Sequence, residues 1–196
     1  MKRHATIDRQ TRETDIHLQI NLDGKGESRV DTGIPFMDHM LTLMTAHGFM
    51  DLEVKARGDT EIDDHHTVED LGICLGRGIR EALGGKEGIV RYGEAVIPMD
   101  EALARVVMDI SNRPDLFYRV VLAARTTGTF DVGLVKEFFR ALVANARITM
   151  HVDLLSGEEP HHVLEAIFKA FGKALDRATS LDKRLGEHVP STKGML

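Results

Sequence analysis

An α+β fold made from a duplicated unit is what this sequence predicts: two similar halves, residues 1–92 and 93–196, each a small mixed sheet backed by two helices. Three observations predict it. The stretch His65-His66-Thr67-Val68-Glu69 recurs as His161-His162-Val163-Leu164-Glu165, each time opening an apolar run with helical spacing. Each copy is preceded by a helix and a strand in the same order. Strand-like alternation falls outside those helices, which separates the pattern from an all-helical bundle.

In chain order, residues 5–21 are largely polar, but Ile16, Leu18 and Ile20 alternate as in a half-buried strand that ends at the turn Asp23-Gly24-Lys25-Gly26. Gly33-Ile34-Pro35 stops a second extended piece. Residues 36–48 then carry apolar side chains at helical spacing and close at His47-Gly48. Leu52 to Ala56 alternates again, Arg57-Gly58-Asp59 turns, and Thr67 to Leu83 is a helix ended by Gly84-Gly85. The second half repeats the order, with a helix over 132–145, a strand over 148–154, the turn Ser156-Gly157, and a helix from His161-His162 through Ala178. Laid over each other, the halves put His65, His66 and Glu69 on His161, His162 and Glu165, and Glu137 near the position of His39. The β-prone runs 93–110 and 116–124 supply further strands, and the tail from Arg184 reads as a loop or docked terminus.

Composition narrows the function. With 42% hydrophobic and 29% charged residues in 196, the chain can bury a sizeable core. A formal charge of -6 with scattered basic residues argues against nucleic acid as a partner. No run is long enough to span a bilayer, and the polar start at Met1–Thr6 has no secretory apolar segment, so the cytoplasm is the expected compartment. The single cysteine, Cys74 within Gly72–Gly76, reads as an inert core thiol.

The paired motif carries the chemistry. On a helix, residues three and four apart share a face, so Glu69 can join His66 or His65 at a cation while the adjacent rings point apart. Each copy therefore suggests two cations. His39, His65, His66, Glu69, Glu137, His161, His162 and Glu165 make two sites by pseudo-symmetry. Imidazole and carboxylate without thiolate suit Mn(II), Fe(II) or Zn(II). A single His-His pair would read more simply as a polar helix start capped by Asp63 or Asp64; two matched pairs outweigh that. Arg91, Arg113, Lys169 and Lys193 are cations suited to an anionic substrate, although each alone is an ordinary surface charge. Glu13 and Asp100 are exposed acids, His47 is a helix-end imidazole, and His151 is a strand histidine.

Taken together, Arg9-x-Thr11-x-Glu13-Thr14-x-Ile16, Gly33–Leu41, Ile62–Asp70, Arg91-Tyr92-Gly93, Pro98–Ala102, Glu137–Arg140, His161–Phe171 and Pro190–Gly194 resemble imidazoleglycerol-phosphate dehydratase, over nearly the whole chain and in the right order. The resemblance implies two Mn(II) ions per active site, held between subunits by the eight residues of the metal set. It implies phosphate binding by Arg91, Arg113, Lys169, Ser191 and Lys193. Further substrate contacts come from Glu13, His47, Asp100, His39, His65, Glu69 and His161; the acid–base candidates for the reaction are Glu13, Asp100 and the metal-bound carboxylates, Glu13 leading. It also implies a 24-subunit shell built from trimers, and the chain is expected to be the dehydratase alone, without a fused phosphatase. Two departures stand out: some relatives have histidine at Glu137, and Asn112 replaces the usual glycine before Arg113.

The implied reaction fits those ligands. Water leaves from a glycerol phosphate arm although no carbonyl acidifies the carbon that loses its proton. An imidazole ring held as imidazolate between two metals pushes out the hydroxyl, and the diazafulvene-like product acidifies the neighbouring C–H. Three other readings use similar residues: a ferritin-like bundle, a dinuclear phosphatase and a non-catalytic metal sensor.

Overall fold

The computed structural model describes residues 3–196, so the part of the polar start read at Met1 and Lys2 lies outside the described residues. Two four-stranded sheets share one topology. The first contains β1 (His4–Gln10), β2 (Thr14–Asn21), β3 (Ser28–Asp31) and β4 (Asp51–Gly58) in the order β1-β2-β4-β3. The second contains β5 (Tyr92–Met99), β6 (Ala102–Asp109), β7 (Asp115–Arg119) and β10 (Thr149–Ser156) in the order β5-β6-β10-β7. Each has two antiparallel pairings and one parallel edge strand, β3 on β4 and β7 on β10. A two-residue ribbon, β8 (Thr126–Thr127) with β9 (Phe130–Asp131), is inserted in the second half.

Four helices complete the two units: α1 (Pro35–Gly48), α2 (His65–Leu83), α3 (Leu134–Ala146) and α4 (Pro160–Thr179). The expected duplication is therefore present, each half running β-β-β-α-β-α apart from the ribbon. Alternation along β1, β2, β4 and β6 buries one sheet face and exposes the other. The helices cover the buried faces, α2 on β1 and β2, and α4 on β5 and β6.

Their mutual packing crosses between halves: α2 runs along α3, and α4 runs along α1. Glycine permits both approaches. A Cβ at Gly76 would overlap the Leu142 carbonyl, and a Cβ at Gly172 would overlap the Met44 carbonyl. The offset that carries His65 onto His161 also carries Gly76 onto Gly172, so the same crossing occurs twice. Phe138 and Phe139 of α3 meet Phe168 and Phe171 of α4 with ring centroids 5.1–5.6 Å apart, which joins the two helix pairs into one core.

The boundaries refine the sequence reading. The first strand, β1, is absent from it, because only Ala5 and Ile7 of seven residues are buried. The run 93–110 is a hairpin turning at Asp100-Glu101, with Asp100 at φ 49°. The run 116–124 leaves the sheet after Arg119. Helix α2 starts at His65, and the Asp64 side chain makes no capping bond; Asp63 accepts from the His65 N–H at 2.8 Å.

Candidate active site

The starts of α1 and α4 bring one triad together. Nε2 of His39 and of His161 each lie 3.3 Å from the same oxygen of Glu165. Ligating atoms of all three residues fall within 4.8 Å of one another, a spacing that admits a single ion. Glu165 sits one turn beyond His161, and its other oxygen accepts from Lys169 Nζ at 2.6 Å. Burial pushes this carboxyl up, but Lys169 and His39 outweigh it and hold it below the usual range. Phe36 stacks on Phe130 at 4.7 Å and meets the His161 ring edge-on at 5.6 Å. These residues border a cavity of about 590 Å³ that Thr60 and Asp64 of the first half also line.

On α2, His65 and Glu69 stand 3.8 Å apart. Glu137, matched to His39 by the duplication, is held by Arg140 at 3.1 Å. Adjacent histidines diverge as the helix requires, His65 from His66 at 86° and His161 from His162 at 86°. His66 and His162 turn to other carboxylates. Nδ1 of His66 donates to Asp59 at 3.0 Å, and its Nε2 is 3.9 Å from Glu13. Nδ1 of His162 donates to Glu101 at 2.7 Å, and its Nε2 is 3.6 Å from Asp100. These bonds raise both imidazoles, chiefly through Asp59 for His66 and Glu101 for His162. In return the His162 bond draws the Glu101 carboxyl down to about 2.

The turn bearing Glu13 is anchored beneath. Asp70, next to Glu69, accepts from Thr14 Oγ1 at 2.5 Å and from Arg9 at 2.8 Å, and Thr11 Oγ1 accepts the Glu13 N–H at 3.1 Å. His47 ends α1, and burial, then Lys169 and Lys173, lower its proton affinity.

The candidate phosphate cations divide into two places. Arg91 and Arg113 share Asp109, at 2.7 and 3.4 Å, and Arg91 also donates to the Pro190 carbonyl at 2.8 Å, docking the tail that carries Ser191 and Lys193. Lys169 instead reaches Met99 Sδ at 3.5 Å. Asn112 adopts φ 61°, a left-handed conformation asparagine tolerates well, so the turn into Arg113 forms without glycine.

A family model described as imidazoleglycerol-phosphate dehydratase matches residues 32–175. The chain belongs to the imidazoleglycerol-phosphate dehydratase family. Curated relatives of that name from Geobacillus sp. (strain WCH70) and Geobacillus thermodenitrificans are 57% and 56% identical, with all of both chains covered. The imidazoleglycerol-phosphate dehydratase structure from Staphylococcus aureus superposes with TM-score 0.83 at 45% identity, covering 91% of this chain and 99% of that one. The structure from Pyrococcus furiosus, in complex with (S)-C348, gives 0.84 at 39% identity, covering 97% and 100%. Imidazoleglycerol-phosphate dehydratases are hydro-lyases, and their fold, with two mixed sheets and helices, is the one described above. That fold removes the all-helical ferritin-like reading. No helix among the described residues is long and apolar enough to cross a membrane.

Sequence reasoning missed Asp59, Glu101 and Asp109. Asp59 reads as part of a turn and Asp109 as a strand residue; Glu101 stands beside Asp100 in a quoted motif, the one available signal.

Proposed function

We propose that the chain converts imidazole glycerol phosphate to imidazole acetol phosphate and water in histidine biosynthesis, in the cytoplasm. The convergence of His39, His161 and Glu165 within a dehydratase family carries this reading. Imidazole and carboxylate donors without thiolate fit a borderline divalent ion. His39, His65, His66, Glu69, Glu137, His161, His162 and Glu165 would hold two Mn(II) ions per active site. Bound there, the ions supply positive charge that favours the substrate imidazole as its anion.

The chain's own groups do the rest. Glu13 and Asp100, beside the Nε2 atoms of His66 and His162, are the acid–base pair, Glu13 leading. Arg91, Arg113, Lys169, Ser191 and Lys193 bind the phosphate, and His47 contacts substrate from the end of α1.

One distance supports a shared site. Arg91 precedes β5 and Lys169 reaches its far end at Met99, so the two are about 25 Å apart along an extended strand. Cations so separated grip one phosphate only if two chains contribute. We therefore read the half-units 1–92 and 93–196 as one catalytic domain that assembles through trimers into a 24-subunit shell, with active sites at subunit contacts.

The test is turnover of imidazole glycerol phosphate after chelation, with Mn(II) added back, following the acetol product and inorganic phosphate together. Acetol product that returns only with metal supports the proposal. Release of inorganic phosphate would identify a phosphatase, and metal uptake without turnover a sensor.

A further inference from the structure

Two carboxylates outside the eight-residue ligand set hold Nδ1 of a histidine within it. Asp59 brings both oxygens to Nδ1 of His66, at 3.0 and 3.2 Å. Glu101 brings one oxygen to Nδ1 of His162, at 2.7 Å. In both rings Nε2 is the nitrogen left over.

The two partners come from different parts of the fold. Glu101 lies in the turn between β5 and β6, which corresponds to the turn between β1 and β2 where Glu13 stands. Asp59 instead follows β4 and is set by its own backbone, whose N–H donates to the Glu13 carbonyl at 3.1 Å. Duplication accounts for Glu13 and Asp100 occupying matching turns. It does not account for Asp59 and Glu101, which reach the same ring nitrogen from unlike elements. The same hydrogen bond built twice, by different routes, points to a requirement on the ring.

That requirement is the tautomer. A neutral imidazole carries one N–H, and an ionised carboxylate only accepts, so the proton stays on Nδ1 and the lone pair on Nε2. Metal-bound histidines almost always donate their other ring N–H to such a partner, which fixes ring orientation and raises ligand basicity. Glu101 is fastened for this role, since its second oxygen accepts from the Glu159 and Glu158 N–H groups at 3.0 and 3.4 Å, at the entry to α4. We propose that Asp59 and Glu101 are positioning residues that hold His66 and His162 in the tautomer whose Nε2 binds the divalent ion. The inference rests on the metal reading above.

Mn(II) titration of the chelated full-length protein tests it, with free Mn(II) read by electron paramagnetic resonance and thermal unfolding of each metal-free variant measured alongside. Asp59→Ala, Glu101→Ala and Glu101→Gln are each expected to weaken Mn(II) binding by about 10- to 100-fold, and Asp59→Asn to bind close to the parent. Glu101→Gln should be as damaging as alanine, because its one carbonyl oxygen is claimed by the Glu159 and Glu158 N–H groups and the amide N–H that then faces Nδ1 only donates, whereas Asp59→Asn keeps a carbonyl that accepts from Nδ1. Metal-free melting temperatures should stay near that of the parent. A merely structural role would leave Glu101→Gln binding like the parent, or Asp59→Ala without effect on binding, and either result would overturn the inference. A parent chain that takes up no Mn(II) would overturn the metal reading itself, so the parent titration separates the two failures.

Discussion

Glu165 is bound on both sides at once: one oxygen accepts from Lys169 Nζ at 2.6 Å, while the other lies 3.3 Å from His39 and His161. The lysine's charge favours the ionised carboxylate. Lys169→Met should therefore lower kcat/KM by about 2 to 3 kcal/mol, the worth of a charge-assisted bond in a partly buried setting. Steady-state kinetics with Mn(II) in excess check this; a change of less than about threefold would remove Lys169 from the site.

Glu13→Gln keeps size and hydrogen bonding but loses proton transfer. A decrease in kcat of about 10²- to 10⁴-fold is expected, with KM nearly unchanged. A variant that retains most of its rate would rule Glu13 out as the leading acid–base group.

Acid stability should depend on Asp153. Burial pushes its carboxyl up, but Arg119 at 2.6 Å and Arg105 at 2.8 Å more than compensate and hold it below the usual value. A depressed carboxyl stabilises the fold above its unfolded pKa of about 3.9, and that stability is lost as pH falls through the lower folded value. Asp153→Asn should thus cost about 1 to 3 kcal/mol at pH 7, and the gap between variant and parent should begin to narrow below about pH 4 and go on closing as pH falls toward the lower folded value. Urea unfolding of the metal-free protein at pH 7 and at pH 3.5 measures both.

The matched crossings should respond alike to one added methyl group. Gly76→Ala meets the Leu142 carbonyl and Gly172→Ala meets the Met44 carbonyl. Each should destabilise by about 1 to 3 kcal/mol. Their agreement within about 1 kcal/mol, read by denaturant unfolding, would show that the two contacts are energetically equivalent.

Chelation should change particle size as well as rate, since the proposed sites draw ligands from neighbouring chains. Light scattering before and after chelation, and again with Mn(II) restored, reads the assembly directly. A particle of constant size would contradict metal-linked assembly.

What was legible in the sequence follows the range of the interactions. The helices opening at His65 and Pro160 declare themselves because the apolar period and the repeated His-His-x-x-Glu are local. The duplication follows from matching those local patterns. Strand β1 did not declare itself, because most of its side chains face away from the core. The pairing of α2 with α3 and of α4 with α1 is carried by glycine, whose contribution is an absent side chain, so nothing in the spacing announces which partner it meets. Within the site, the eight ligand candidates stand in dense motifs. Glu101 lies 61 residues from the imidazole it holds, and only the folded chain brings them together.

The crossed helix pairing also bears on how the two copies of the unit are inherited. Duplication usually leaves one copy free to drift while the other keeps the ancestral role. Here each copy's second helix rests on the other copy's first, so a side chain gained at Gly76 or Gly172 is felt at a backbone carbonyl in the opposite half. The two halves share one fate: neither has a core of its own in which to change alone.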